Sequence, residues 1–148
     1  MLDTNHSMNA VIMGCGRMGA WLAVELSERG YRVCILDMNE ENFRRLPVSF
    51  RAAKDNGESH VAVVGDGTQQ EDLILAGIEQ ADVFIATMER DPPNLLAAQI
   101  AQHIFRVPRV VCRMNDLERQ EVYEQLGLRV VNVTLLLGER LLDVSGEL

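Results

Sequence analysis

Short apolar runs alternate with longer amphipathic stretches along this chain from residue 9 to residue 133. NAVIM (9–13) is a compact apolar run and predicts a buried strand. Gly19, Leu22, Ala23 and Leu26 then recur at i, i+3, i+4, i+7, which predicts a helix over about 18–29, stopped by Gly30. YRVCILD (31–37) is a second strand, and 39–46 forms a short helix limited by Pro47. The polar stretch VSFRAAKDNGES (48–59) reads as a flexible loop. HVAVVGD (60–66) is a third strand, followed by a helix over 69–77 with Leu73, Ala76 and Gly77 at its end. ADVFIAT (81–87) is a fourth strand. Asp91-Pro92-Pro93 opens a helix that reaches about His103, proline being tolerated where the first N–H groups have no partner. PRVVCR (108–113), a helix over 116–126 ended by Gly127, and LRVVNV (128–133) complete the series.

Strands that alternate with helices build a mainly parallel sheet covered on both faces, with right-handed crossovers. The pattern predicts one α/β domain over 9–133 with six strands. Residues 1–8, with His6 among them, read as a disordered leader or cloning remnant. The tail TLLLGERLLDVSGEL (134–148) carries Leu135, Leu136, Leu137, Leu141 and Leu142. These leucines cover too much of one helix for a solvated end. Either the helix folds back on its own core, or it offers a surface to a second chain; the second reading is preferred.

The chain has 148 residues, enough to bury a core, and a formal charge of −8. No dense Lys/Arg cluster is present, so nucleic acid and anionic membranes are poor partners. No apolar run approaches the ~18 residues of a membrane span, and no secretory signal is evident, which points to the cytoplasm. Cys15, Cys34 and Cys112 are odd in number and lack CxxC spacing, so neither a disulfide framework nor a zinc site is expected. Cys34 and Cys112 lie in strand runs and read as small hydrophobes. Cys15 lies near a helix N-terminus, where a thiol pKa can fall; it is either a passive small residue or a redox sensor.

Gly14-Cys15-Gly16-Arg17-Met18-Gly19 follows a strand and opens a helix, the context a dinucleotide fingerprint requires. The first glycine permits the turn, the second lets the backbone approach a pyrophosphate, and the third lets helix and strand pack. The phosphate meets free N–H groups at the positive helix end. The fold class is therefore α/β, a Rossmann-like doubly wound sheet. Asp37 closes the second strand 18 residues after Gly19 and is placed to accept ribose hydroxyls, with Met38 and Asn39 beside it. A carboxylate there repels a 2′-phosphate, which disfavours NADP. The alternative is that Asp37 caps the following helix. Arg17 either reaches phosphate oxygens or is solvated.

Gly65-Asp66-Gly67-Thr68 ends the third strand, at the carboxyl edge where ligands bind. Asp66 and Thr68 are read both as caps of the next helix and as neighbours of an adenine. Ala86-Thr87-Met88 ends the fourth strand, facing the pyrophosphate or second ribose, with Asn94 fixing that loop. Arg113 ends the fifth strand, where a salt bridge and a contact with the far end of the ligand are equally good readings. His60 and His103 have no nucleophile beside them, and there is no GxxxxGK[ST] loop, metal-ligand cluster or substrate domain. A small NAD-dependent oxidoreductase, or the cofactor domain of one, is the alternative class.

These motifs together resemble the N-terminal nucleotide-binding domain of TrkA-type potassium-uptake proteins, the KTN or RCK-N family. The carriers are VIMGCGRMG (11–19), ILD (35–37), GDGT (65–68), LAGIEQADVFIAT (75–87), NLLAAQIAQ (94–102), VCRMND (111–116) and LGLRVVNVT (126–134). The resemblance implies a regulator, not a catalyst, that binds NAD(H), ATP, ADP or AMP. It implies phosphate contacts at Gly14, Gly16, Arg17 and Gly19, ribose at Asp37, and adenine beside Asp66 and Gly67. It also implies dimerisation through the tail helix, in a homodimer or ring. The partner would be a membrane potassium channel or transporter, served from the cytoplasmic face without membrane insertion. The sequence departs from the family at Asn39, where a second acid is frequent, and at Asp91-Pro92-Pro93. Its 48–59 segment is longer than usual, and the family's C-terminal module is not in this sequence.

Overall fold

The computed structural model describes residues 7–52 and 60–146. Six strands form one sheet: β1 (Asn9–Met13), β2 (Arg32–Asp37), β3 (His60–Val64), β4 (Val83–Ala86), β5 (Arg109–Met114) and β6 (Arg129–Asn132). Their order is β3-β2-β1-β4-β5-β6 and every pairing is parallel. This is the doubly wound Rossmann order, with its reversal point between β1 and β4. Met13 pairs with both Leu36 and Ala86, so the ends of three strands meet at one crevice.

The alternation along β1 explains why both faces are covered. Val11 and Met13 join one core with Leu73, Phe84 and Leu95, while Ala10 and Ile12 join another with Ala20, Ala23 and Ile35. A strand buried on both faces reads as a continuous apolar run, as NAVIM does. Helix α1 (Arg17–Glu28) supplies Ala20 and Ala23 to the second core. Helices α3 (Gln70–Leu75) and α4 (Asp91–Gln99) supply Leu73 and Leu95 to the first.

Several elements differ from the expectation. Residues 39–46 form a 3₁₀ helix, Glu40–Arg45, capped when Asn39 Oδ1 accepts from the Glu41 N–H. The 48–59 stretch is not uniformly a loop. Ser49–Ala52 forms a helical turn, α2, and its one aromatic, Phe50, is buried in the second core and stacks on His60. Residues 53–59 of that stretch lie outside the described residues, as do 1–6, including His6. Helix α4 passes into a π-helical segment, Ile100–Ile104, closed by Phe105 N–H donating to the Ile100 carbonyl. Helix α5 is only Gln120–Gln125, because Asp116 first folds the chain into a turn that accepts from the Glu118 N–H. A 3₁₀ turn, Ile78–Gln80, follows Gly77.

Helix α6 (Val133–Val144) buries none of its residues. Leu135, Leu136, Leu137, Leu141, Leu142 and Val144 are 46 to 69% exposed. The reading in which this helix folds back on its own core is therefore excluded for this chain by itself. No described helix is long and apolar enough to cross a membrane.

Candidate functional site

The glycine loop occupies the carboxyl end of β1, and its three glycines are needed for three different reasons. Gly14 has φ +103°, and its N–H donates to the Leu36 carbonyl at 2.7 Å. Only glycine holds that conformation without strain. Gly19 sits in α1 with φ negative, but a Cβ there would lie 1.8 Å from the Gly14 carbonyl oxygen. Gly16 is unlike both. Its φ of −77° suits any residue, and a Cβ would meet no protein atom within 4 Å. Nothing in the protein requires glycine at 16. It is the N-cap of α1 and has no side chain to cover the helix's free N–H groups. The opening at Gly16 is what an approaching phosphate needs.

Asp37 lies at the end of β2 and is 8% exposed. One carboxylate oxygen accepts from the Cys15 N–H at 2.8 Å. The other accepts from Asn39 N–H at 2.8 Å and Asn42 Nδ2 at 3.0 Å. The carboxylate thus fastens the glycine loop to the β2 turn, and Oδ2 accepts that one bond among the described residues. Met38 and Asn39 follow it on the exposed rim. The cap of the next helix is Asn39, not Asp37.

Cys15 is buried, and its thiol donates to the Asn42 carbonyl at 3.3 Å. Burial, and then the Asp37 charge, push its pKa up to about 11, against the opposing pull of Arg45. Of the two readings of Cys15, a buried thiol with a raised pKa suits the passive small residue and not the redox sensor. Cys34 and Cys112 are held at about 12, by burial above all. Arg17 is the exposed first residue of α1 and makes no hydrogen bond or ion pair with the described residues. Met18 beside it is also exposed.

Across the crevice, Thr87 is buried, and its hydroxyl donates to the carbonyls of Met13 and Gly14 at 2.9 and 3.1 Å. Ala86 is fully buried beneath it. Asn94, 0% exposed, accepts from the Met88 N–H and donates to the carbonyls of Met88 and Arg113. That bears out its reading as the residue that fixes this loop. Arg113 forms no ion pair among the described residues. Its Nη1 is 3.5 Å from the Thr87 carbonyl, and its Nε is buried without a hydrogen-bond partner. The salt-bridge reading therefore falls, and a buried donor is left without a partner among the described residues.

The β3 loop behaves differently from expectation. Asp66 Oδ1 accepts from both the N–H and the hydroxyl of Thr68, while the N-cap of α3 is Gln69. The capping reading of Asp66 and Thr68 is thus replaced by a closed turn. Gly67 lies so close to Met13 that a Cβ would be 2.1 Å from its sulfur, and a Cβ on Gly65 would press on Leu36 and Asp72. Together Asp37, Met38, Gly65, Asp66, Gly67 and Thr68 line one side of a cavity of about 220 Å³. Met13, Leu36, Met88, Arg90 and Pro93 complete it. The sequence reading missed Asn42, Arg90 and Pro93, none of which stands in a recognisable spacing. Three larger cavities lie elsewhere, of about 690 Å³ along α4 and β5, about 670 Å³ beside β3, and about 380 Å³ over Asn39, Glu41, Asn42, Arg44 and Arg45.

A chain of hydrogen bonds leads from the crevice to α6. The Asp91 carboxylate, three residues before Asn94, accepts from Asn115 N–H, Asn115 Nδ2 and Asp116 N–H. The Asn115 carbonyl accepts from the Thr134 hydroxyl, and the Asp116 carbonyl from Asn132 Nδ2. Asn132 Oδ1 caps α6 by accepting from the Leu135 N–H.

Comparison with known proteins agrees with this arrangement. The family model described as the TrkA-N domain matches residues 10–134. The Trk system potassium uptake protein TrkA of Streptomyces coelicolor is 40% identical over 124 residues, covering 84% of this chain and 52% of the relative. This chain therefore spans about half the length of that relative. The crystal structure of the TrkA-N domain of inner membrane protein ybaL from Escherichia coli superposes with a TM-score of 0.77 at 17% identity, covering 95% of this chain and 98% of that one. The structure of GsuK bound to ADP has a TM-score of 0.71 at 26% identity, covering 95% of this chain and 34% of that one. With the glycine loop, the Asp37 strand end and the Rossmann strand order all in place, this chain belongs to the TrkA-N domain family.

Proposed function

We propose that this domain binds an adenine nucleotide, NAD(H) or ATP, ADP or AMP, and uses it to regulate a membrane potassium channel or transporter. The observation that carries the reading is Gly16, a glycine with no conformational or packing need, at the open N-terminus of α1. In the proposed complex, Gly14, Cys15, Gly16, Arg17, Met18 and Gly19 surround the phosphates, with Arg17 as their counter-charge. Asp37 takes a ribose hydroxyl on its remaining lone pair, which disfavours NADP. The slot between 65–68 and Met88 takes the base, and Arg113 takes the end of the ligand beyond Thr87. Catalysis is not part of the reading.

Helix α6 is the proposed output, working from the cytoplasmic face through the transport partner. Its exposed leucines supply an apolar face for a second copy of the domain, in a dimer or larger ring. A nucleotide regulates only if it binds two arrangements of that assembly with different affinity. The Asp91–Asn115–Thr134 and Asp116–Asn132 hydrogen bonds supply a physical link between the β4–α4 loop and the start of α6. Light scattering across a concentration series, with and without ADP, tests the reading. We expect reversible association whose constant changes with ADP. A strict monomer under both conditions defeats the assembly half of the proposal.

A further inference from the structure

The small cavity beside Asp37 has a composition suited to a flat heteroaromatic ring, with one feature that its apolar walls do not explain. Met13, Leu36, Met88 and Pro93 give it thioether and aliphatic surfaces, and Asp37 and Asp66 lie on the β2–β3 side. Arg90 stands on the opposite side and is the cation lining it. Arg90 is the N-cap of α4 and is exposed, so its own backbone is fixed while its side chain is not. It makes no hydrogen bond or ion pair with any described residue. The two acids of the cavity are already engaged by the protein, Asp37 with the glycine loop and β2 turn, Asp66 with Thr68. A guanidinium at the wall of an apolar slot, with no carboxylate paired to it, lacks a partner that the slot itself provides.

We propose that Arg90 closes over the base of the bound nucleotide, laying its guanidinium plane against the purine ring opposite the 65–68 turn. This inference rests on the nucleotide reading above and adds to it the residue that favours a purine. The chemistry is the attraction between a cationic plane and a π face, which needs no hydrogen-bonding edge and leaves the turn free to read that edge. The contact is made at the base and not at the phosphates. The glycine loop and Arg17 do not line this cavity, whereas the ribose acid and the 65–68 turn do. Arg90 also lines the 690 Å³ cavity that contains Asp116 and Arg119.

The test is to measure dissociation constants of AMP, ADP and ATP for the parent chain, R90A and R90K. Loss of the stacked plane should weaken all three nucleotides by the same factor, about fivefold. R90K should fall with R90A, because an ammonium keeps the charge but has no plane to stack. Unfolding midpoints of both variants should match the parent, since the side chain is exposed and unbonded. Unchanged affinities in R90A overturn the inference while leaving the nucleotide reading intact. So does a loss that grows from AMP to ATP and is restored in R90K, which would place Arg90 on phosphate. A parent that binds none of the three, and no NADH in the same titration, removes both proposals together; one that binds NADH alone is compared with R90A and R90K on NADH, where unchanged affinity overturns the inference.

Discussion

Replacing Gly19 with alanine puts a Cβ 1.8 Å from the Gly14 carbonyl oxygen and 2.9 Å from the Thr87 hydroxyl. A relaxed carbon-to-oxygen contact needs about 3.3 Å, so α1 and the end of β1 must separate by roughly 1.5 Å. The neighbour is backbone and cannot swing aside as a long side chain would. Separation also strains the Gly14-to-Leu36 hydrogen bond and the two accepted from Thr87. Overpacking of this kind costs about 1–3 kcal/mol or more, and the better helix propensity of alanine returns about 1. Because backbone meets backbone, the upper end applies, for a net loss of about 2–3 kcal/mol and a fall in Tm of roughly 5–10 °C. Gly16→Ala adds the same methyl group to open space at φ −77°. Alanine is a poorer N-cap than glycine but restricts the unfolded chain, and the two effects cancel to within about 0.5 kcal/mol. Its methyl group nonetheless stands where the proposed phosphate would approach. Urea unfolding followed by circular dichroism, with calorimetric titration of ADP, separates the two. Gly19→Ala should be destabilised, and Gly16→Ala should keep its stability and lose at least tenfold in ADP affinity. A Gly19→Ala protein as stable as the parent, or a Gly16→Ala protein that binds ADP like the parent, refutes the reasoning.

Asp37→Ala should lose stability as well as ligand, because it leaves the N–H groups of Cys15 and Asn39 without their acceptor. About 2–4 kcal/mol is expected in urea unfolding without ligand, and Asp37→Asn should recover only part, having one acceptor oxygen in place of two. An Asp37→Ala chain of parental stability would contradict the structural role assigned here. The three thiols set an alkaline limit. Their folded values of about 11, 12 and 12 lie above the ordinary 9.0, so the unfolded chain releases these protons first. Their contribution is complete below pH 9 and is lost as the pH rises toward 11–12. The urea midpoint should drop between pH 8 and pH 10, and less so in the Cys15→Ala, Cys34→Ala, Cys112→Ala triple variant; equal drops would contradict it.

The strands were legible because each is a short apolar run bounded by a turn residue, and a strand buried on both faces needs no alternation to be recognised. Helix ends were less so. Asp116 looks like the start of a helix but closes a turn, and α5 begins only at Gln120. Phe50 lay hidden in a polar stretch because one buried side chain leaves no periodicity. At the site, Gly14, Gly16, Gly19 and Asp37 follow a spacing imposed by backbone geometry, so order along the chain reveals them. Asp37's second duty toward Cys15 is a contact between residues 22 positions apart, and Arg90 and Pro93 line the cavity from the start of α4. Such residues reach the crevice from separate loops, and no local pattern marks them. The fate of the Cys15 thiol depended on burial and a neighbouring carboxylate, neither of which is visible in a loop motif.

Calorimetric titration of the purified chain with AMP, ADP, ATP, NADH and NADPH tests the central claim most directly. Saturable binding of one or more nucleotides with a free 2′-hydroxyl, and markedly weaker binding of NADPH, is the predicted result. No heat and no thermal shift with any of them at millimolar concentration would contradict the account and leave the glycine loop a packing device alone.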